Sequence, residues 1–261
     1  MKLIEFLGLP GSGKTTLVPF INSVMAKNGH TVFNRQDVRL LHVCGGYKKF
    51  RIVQKLPSFF TKALVKVFFK LNHTESFYTE KFIEKYPDLV AYVLKTSAKN
   101  GVNEKVRKNS IRWFLSLGAI YELAQEIMPS NAYLLLDEGF CQKVLNLFVS
   151  VHKDPNLDKV KKYLEMIPQP DTILFIQTDP TLAFDRMKVR GRAIKRLFNA
   201  SDDELKTFLV NAKISMDFVT QHLGSSLSRL VILDNTQEFV SGKDTISRKL
   251  NDSFSTHPVV S

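Results

Sequence analysis

The fold is decided by Gly8-Leu9-Pro10-Gly11-Ser12-Gly13-Lys14-Thr15, a stretch near the start of the printed sequence. It fits the pattern G-x-x-x-x-G-K-[ST], in which a glycine-rich loop joins a strand to a helix. Residues 2–7 form a short apolar run typical of a strand, and residues 15–28 repeat apolar side chains at helical spacing. Gly29 is well placed to end this helix. Pro19 removes one backbone hydrogen bond in the second turn, so we expect a slight kink there.

This pattern predicts a site for phosphate groups. Glycines let the backbone curl so that several N–H groups point at phosphate oxygens, and the following helix adds its positive dipole end. Lys14 would reach the β- and γ-phosphates of a nucleotide, and the Thr15 hydroxyl would bind Mg²⁺. The predicted nucleotide-binding residues are Gly8, Leu9, Pro10, Gly11, Ser12, Gly13, Lys14, Thr15 and Thr16. The alternative is a glycine-rich turn that only starts a helix, and the flanking strand and helix patterns disfavour it.

Composition limits the class of protein. The chain has 261 residues, of which 44% are hydrophobic, enough for one large α/β domain or two smaller ones. The only two cysteines, Cys44 and Cys141, argue against a disulfide framework and suit a reducing compartment. No stretch approaches the roughly 20 apolar residues of a membrane span. We therefore expect a cytoplasmic protein without a transmembrane segment.

The positive charge is concentrated in two segments. The net charge is +12, yet residues 48–70 carry seven Lys and Arg residues and no acid, and residues 186–196 carry six and no acid. These segments predict two surfaces that attract anions. Within the first, residues 58–71 have the spacing of an amphipathic helix with a row of lysines. We expect a core helix with a solvated lysine edge; the alternative is an anionic partner, either a phosphorylated substrate, a nucleic acid or a membrane surface.

Strand-like runs alternate with helical patterns along the chain. The predicted strands are 2–7, 31–34, 132–137, 172–177 and 229–233. This alternation predicts an α/β fold, a parallel sheet covered by helices on both faces in a three-layer α/β/α sandwich. The long interval between the second and third strands predicts a large helical insert at 38–130. We predict a single domain over 1–250 that contains this insert, followed by a flexible tail at 251–261.

Two carboxylates follow the third predicted strand. Asp137 and Glu138 come directly after an apolar run, and ligands of open α/β sheets lie beyond the carboxyl ends of the strands. If this strand lies beside the first, Asp137 reaches the Mg²⁺, where it holds the metal or takes a proton from an attacking hydroxyl. The alternative for Asp137 is an acidic N-cap of the next helix. For Glu138 the sequence leaves two alternatives open, a residue of the site or a residue of the surface.

An arginine-rich segment follows the fourth predicted strand. Asp179 and Pro180 predict a helix start, and Arg186 and Arg190 then share one helix face. Arg192 follows a glycine that can act as a hinge. These features predict a lid over 186–200 that closes on a triphosphate and neutralises charge in the transition state. The alternative is a solvated basic helix end.

Taken in order, these motifs resemble the nucleoside and nucleotide kinase branch of P-loop proteins, especially thymidylate kinases and deoxynucleoside kinases. The resemblance covers most of the chain and implies a five-stranded parallel core with strand order 2-3-1-4-5. Val231-Ile232-Leu233-Asp234-Asn235 looks like the last strand, whose following loop often borders the adenine in that family. Glu138 stands where the family has a substrate-binding arginine, and the insert is longer and more basic. An altered acceptor, not necessarily a nucleotide, would account for both departures.

These observations predict an ATP- and Mg²⁺-dependent small-molecule kinase whose acceptor is anionic. The predicted catalytic residues are Lys14, Asp137, Arg186, Arg190 and Arg192, with Thr15 and Asp137 at the metal. A guanine-reading N-K-x-D motif is absent from the sequence, which favours ATP over GTP. Two other functions stay open. One is an ATPase or switch protein that uses Asp137 and Glu138 for hydrolysis, and the other is a nucleic-acid-binding protein or polynucleotide end-kinase. A homodimer also stays open.

Overall fold

The computed structural model describes residues 1–71, 73–99, 104–190, 200–224, 229–235 and 239–254. The strands of this part of the chain are β1 (Lys2–Gly8), β2 (Val32–Phe33), β3 (Tyr133–Leu136), β4 (Thr172–Gln177) and β5 (Arg229–Asp234). The helices up to β3 are α1 (Lys14–Lys27), α2 (Arg35–Cys44), α3 (Tyr47–Val53), α4 (Ser58–Leu71), α5 (Thr74–Lys85), α6 (Pro87–Lys99) and α7 (Glu104–Ile127). Those after β3 are α8 (Val144–Phe148), α9 (Leu157–Leu164), α10 (Pro180–Val189), α11 (Asp202–Gly224) and α12 (Phe239–Phe254), with a 3-10 turn at Cys141–Lys143 before α8.

The five strands form one sheet in the order β2-β3-β1-β4-β5. The pairs β2–β3, β1–β4 and β4–β5 are parallel. From Leu3 onward every residue of β1 is buried, and all of β4 except its last residue is buried. Such continuous burial is typical of parallel strands covered on both faces. The predicted fold class and the strand order 2-3-1-4-5 are confirmed.

The chain forms two compact units. The first comprises Met1–Leu3 and Thr31–Leu136, and within it α5 packs along α7 while α2 contacts α3, α4 and α7. The second comprises Ile4–His30 and Asp137–Ser261, and within it α10 packs on α11 while α12 contacts α1 and β5. The insert predicted at 38–130 lies in the first unit, and its described residues are mostly helical, as expected. The single kinase-like domain over 1–250 stays a prediction.

Most predicted element ends lie close to the observed ones. Gly29 follows α1 with a positive φ of 81°, the backbone conformation in which glycine commonly ends helices. The side chain of Asp179 accepts a hydrogen bond from the Thr181 N–H at 2.8 Å and caps α10, with Pro180 as its first residue. Residues 255–261 of the predicted tail lie outside the described residues, whereas 251–254 belong to α12. The chain continues as helix to Phe254, because Leu250 and Phe254 are both buried.

The helix predicted at 58–71 is confirmed as α4, but its expected role as a core helix is wrong. Phe59, Phe60 and Val67 are 64%, 56% and 53% exposed. The side of α4 that is buried carries Thr61 and Val65. The hydrophobic period therefore predicts this helix correctly, while most of its apolar side chains lie at the surface. Among the described residues, no helix is long and apolar enough to cross a membrane.

Candidate active site

The glycine-rich loop lies between β1, which ends at Gly8, and α1, which begins at Lys14. Gly11 and Gly13 have φ values of 83° and 92°, in the left-handed region where side chains are unfavourable. Gly11 also has no room for a side chain, since a Cβ there would overlap the carbonyl oxygen of Ala183 in α10. The two glycines thus let the loop turn sharply while packing directly on a neighbouring helix.

Lys14 folds back over this loop. Its Nζ donates hydrogen bonds to the carbonyl oxygens of Gly8 at 2.5 Å and Leu9 at 2.9 Å. Burial lowers the pKa of Lys14 from 10.5 to about 8, and the negative charges of Glu138 and Asp137 act in the opposite direction. The charges of Glu138 and Asp137, the two carboxylates that follow β3, therefore act on Lys14.

Gln142 is a residue of the site that sequence reasoning missed. Its buried carboxamide oxygen accepts the Gly8 N–H at 3.1 Å, and its NH₂ group donates to the Gly8 carbonyl oxygen at 3.0 Å. The side chain therefore pairs with the last residue of β1 as a further strand residue would. No sequence signal marks it, because the two residues are 134 positions apart and follow no spacing rule.

Glu5 holds the segment that follows Asp137 and Glu138. Its carboxylate is fully buried and accepts the N–H groups of Phe140 and Cys141, both at 2.8 Å. Gly139 is required beside it, because a Cβ there would overlap the carboxyl group of Glu5. Burial, together with the negative charge of Glu5, raises the pKa of the Cys141 thiol well above its ordinary value. Sequence analysis did not identify Glu5, which lies within the apolar run at residues 2–7.

Asn235 connects the end of β5 to the loop. Its Nδ2 donates to the Ser12 carbonyl oxygen at 2.6 Å, and its own N–H donates to the Gln177 carbonyl oxygen at 3.1 Å. Its carbonyl oxygen accepts a hydrogen bond from Arg186 at 2.9 Å. The loop is thus bonded to the residue that directly follows β5.

The predicted lid arginines differ in their surroundings. Arg186 is half-buried and bonded to Asn235, so part of its hydrogen-bonding capacity holds α10 to the end of β5. Arg190 is exposed just after α10. Arg192 and most of the predicted lid at 186–200 lie outside the described residues. The roles of these arginines in catalysis stay predictions.

The alternative role of Asp137 as a helix cap is wrong. The helical turn after β3 begins at Cys141, so its N-cap is Phe140 rather than Asp137. Asp137 is exposed, and its Oδ1 accepts the N–H of Glu138 at 3.0 Å. Glu138 lies 3.4 Å from the ammonium group of Lys143, which is almost fully buried. The two neighbouring carboxylates therefore face different surroundings.

The side chains at the loop fit a magnesium–nucleotide complex. Mg²⁺ bound with nucleotide needs only one or two protein oxygen ligands, because phosphates and water supply the rest. Thr15 and Asp137 offer a hydroxyl and a carboxylate, both exposed. Thr16 is likewise exposed at the start of α1. The Ser12 hydroxyl is fully buried and has no hydrogen-bond partner within the described residues, so it can donate a hydrogen bond to a phosphate oxygen.

The strand order, the glycine loop and the lysine that folds over it define a P-loop fold. No family model matches the chain, and no curated protein matches it. Among solved structures it is similar to deoxyadenosine kinase from M. mycoides with the products dCMP and a flexible dCDP bound, at 14% identity and a TM-score of 0.49, covering 96% of this chain and 99% of that chain. The same enzyme with bound dATP gives 16% identity and a TM-score of 0.45, covering 96% and 100%. Shikimate kinase from Bacteroides thetaiotaomicron gives 14% identity and a TM-score of 0.43, covering 97% of this chain and 98% of that chain.

Proposed function

We propose that the protein is an ATP- and Mg²⁺-dependent kinase that phosphorylates a small, anionic acceptor. The observation that carries this proposal is the position of Lys14. Its ammonium group is bonded to two carbonyl oxygens of the loop, and the charges of Glu138 and Asp137 act on it. A lysine at this position can exchange these carbonyl oxygens for the oxygens of a bound phosphate.

Each group at the loop has a role in this proposal. The loop N–H groups and Lys14 bind the phosphates of ATP, and Thr15 and Asp137 hold the metal. Mg²⁺ reduces the charge of the phosphate oxygens when it is bound. The exposed carboxylate of Asp137 also suits a proton acceptor for the attacking hydroxyl. Arg190 and Arg192 neutralise charge as the phosphoryl group is transferred.

The proposal is tested by ADP release in the presence of a panel of acceptors. The panel contains nucleosides, nucleotides, sugars and other small hydroxyl compounds, and oligonucleotides with a 5′-hydroxyl. A kinase restrains phosphoryl transfer to water, so its basal ADP release should be slow. One class of acceptor should raise ADP release at least about a hundredfold over this basal rate, as expected when positioning makes the reaction intramolecular. Stimulation by the oligonucleotides alone would instead identify a polynucleotide end-kinase.

Lys14→Ala provides the matching variant. It should abolish stimulated turnover while the circular dichroism spectrum stays unchanged, because the side chain interacts chiefly with the loop itself. Lys27→Ala, at the exposed end of the same helix, is the control and should keep wild-type turnover. Wild-type turnover in folded Lys14→Ala protein would refute the assignment of the loop.

An ATPase is the second candidate, because the Asp137-Glu138 pair lies near Lys14 and a glutamate in such a pair can orient water. The contact with Lys143 speaks against it. A buried ammonium group needs a compensating charge, and Glu138 supplies one at 3.4 Å. We therefore expect Glu138 to support the segment after β3 rather than to activate water.

Glu138→Gln separates the two candidates. In the kinase, it should lower stability with little effect on turnover, because Lys143 loses a negative partner. In the ATPase, it should trap bound ATP and stop hydrolysis. Rapid hydrolysis without acceptor that is abolished by Glu138→Gln would refute the kinase proposal.

A further inference from the structure

The outer side of α4 carries a group of exposed apolar side chains, which we call the α4 face. Its residues are Phe59, Phe60, Leu64, Val67 and Phe68, each more than one third exposed. At about 100° per residue they cover roughly half of the helix circumference. The buried side of α4 carries Thr61 and Val65, and the helix packs on α2 and α5. The α4 face therefore points away from the helices that support it.

These side chains form a continuous patch rather than isolated apolar residues. The rings of Phe59 and Phe60 have centroids 4.1 Å apart. Leu64 and Phe68 follow Phe60 at successive i, i+4 positions, where helix side chains are neighbours. Ile52 and Leu56, just before α4, are 71% and 51% exposed and add to the apolar surface. A patch of this kind on a soluble protein marks an interaction surface.

The same segment is strongly basic. Between Tyr47 and Phe68 there is no acidic residue. All six of its basic side chains are exposed: Lys48, Lys49, Arg51, Lys55, Lys62 and Lys66. Lys62 and Lys66 form an i, i+4 row at one edge of the α4 face, where two like charges slightly destabilise the helix. The partner must therefore be negatively charged and must also accept large apolar side chains.

We propose that α3 and α4 dock on an anionic membrane surface. The apolar side chains of the α4 face enter the boundary between headgroups and acyl chains, and the lysines contact the anionic headgroups. Docking on a second copy of the chain is disfavoured, because it would bring two basic surfaces together. A nucleic acid would match the charge and could stack on the phenylalanines, but it offers no apolar surface for Leu64 and Val67.

The test is sedimentation with lipid vesicles, without nucleotide or acceptor, so that its outcome is independent of the proposed activity. The wild-type protein should sediment with vesicles of equimolar phosphatidylcholine and phosphatidylglycerol and stay in solution with phosphatidylcholine alone. Leu64→Gln/Phe68→Gln should weaken vesicle binding at least about tenfold through lost apolar burial. Lys62→Glu/Lys66→Glu should weaken it at least about thirtyfold.

Matched variants elsewhere on the protein control for general effects. Val210→Gln/Ile214→Gln changes two exposed apolar residues at the same i, i+4 spacing on α11, and Lys161→Glu/Lys162→Glu reverses two exposed charges on α9. Both should bind vesicles as the wild type does. All four variants change exposed side chains, and their circular dichroism spectra and melting temperatures should match those of the wild type.

Several results would overturn the proposal. These are equal sedimentation with neutral vesicles, no sedimentation with either kind, or wild-type binding by Leu64→Gln/Phe68→Gln. Self-association that this variant abolishes, without vesicle binding, would assign the α4 face to a second copy. Salt-dependent oligonucleotide binding lost in Lys62→Glu/Lys66→Glu, again without vesicle binding, would assign the basic surface to a nucleic acid.

Discussion

Replacing the buried Gln142 by methionine should lower the stability of the protein, because it removes the hydrogen bonds that this side chain makes to the loop. Methionine keeps the length and approximate volume of the side chain, so the cavity contribution is small. It removes both hydrogen bonds to Gly8, at 3.1 Å and 3.0 Å. The Gly8 N–H loses its acceptor, the Gln142 carboxamide oxygen, whereas the Gly8 carbonyl oxygen keeps the hydrogen bond from Lys14. A buried backbone group without a partner costs about 1–3 kcal/mol and a lost hydrogen bond about 1 kcal/mol, so the free energy of unfolding should fall by about 2–4 kcal/mol.

Urea unfolding followed by circular dichroism measures this change as a lower midpoint at an unchanged slope. ATP affinity should also weaken, because Gly8 is the first residue of the loop. Gln169→Met is the control. The Gln169 carboxamide also donates two hydrogen bonds to backbone oxygens, those of Leu164 at 2.7 Å and Ile167 at 3.1 Å. Gln169 is exposed, so water can replace these bonds and the loss should stay below about 1 kcal/mol. A Gln142→Met protein as stable as the wild type, or equal losses in both variants, would refute the reasoning.

Three further predictions concern Asp137, Lys14 and the two cysteines. Asp137→Asn should keep the ATP dissociation constant within about tenfold and lower kcat at least about a hundredfold, because it removes charge at the metal or proton-accepting position. An unchanged kcat in ADP-release assays would exclude a role of Asp137 at that position. Lys14 has a lowered pKa of about 8 in the free protein, so it loses its proton as the pH rises through 8. Titrations with Mg²⁺-free ATP should therefore show affinity falling above pH 8 in the wild type but not in Lys14→Arg, and parallel profiles would contradict this. Iodoacetamide should label half-buried Cys44 but not buried Cys141, whose thiol pKa is raised, until the protein is unfolded; native labelling of Cys141, seen by mass spectrometry, would contradict its burial.

The sequence predicts the strands and the loop well for physical reasons. β1 and β4 are buried almost throughout, and strands without a solvent face are mostly apolar, with Glu5 as the charged exception in β1. Gly11 and Gly13 adopt positive φ values that other residues rarely tolerate, so the backbone itself dictates their identity. Such local requirements leave a pattern that can be recognised in a single sequence.

The polar residues that support the loop could not be predicted in this way. Glu5, Gln142 and Asn235 act through hydrogen bonds to residues 134 to 223 positions away in sequence. Nothing in the neighbourhood of each residue indicates its partner, because the pairing is created by the order of the strands. The alternative roles of Asp137 likewise depended on where the next helical turn begins.

The hydrophobic period of α4 predicts a helix but does not predict which side of it is buried. Its apolar and basic positions predict a helix with two distinct sides, and the structure confirms the helix from Ser58 to Leu71. The period does not reveal which side the rest of the protein covers. Packing on α2 and α5 buries Thr61 and Val65 instead of the phenylalanines, so burial here follows from the neighbouring helices rather than from hydrophobicity alone.

These contacts explain why the sequence predicts a site for the phosphate donor but does not predict the identity of the acceptor. Three side chains hold the glycine-rich loop and the segment beyond Asp137: Gln142 at Gly8, Asn235 at Ser12, and Glu5 at Phe140 and Cys141. A loop fixed in this way needs little reorganisation when phosphate binds, which is the condition for electrostatic stabilisation of a transition state. Binding ATP requires the same loop geometry whatever the acceptor, and that geometry has a sequence motif. Recognising the acceptor requires only complementary side chains, which many sequences can supply and no fixed spacing marks.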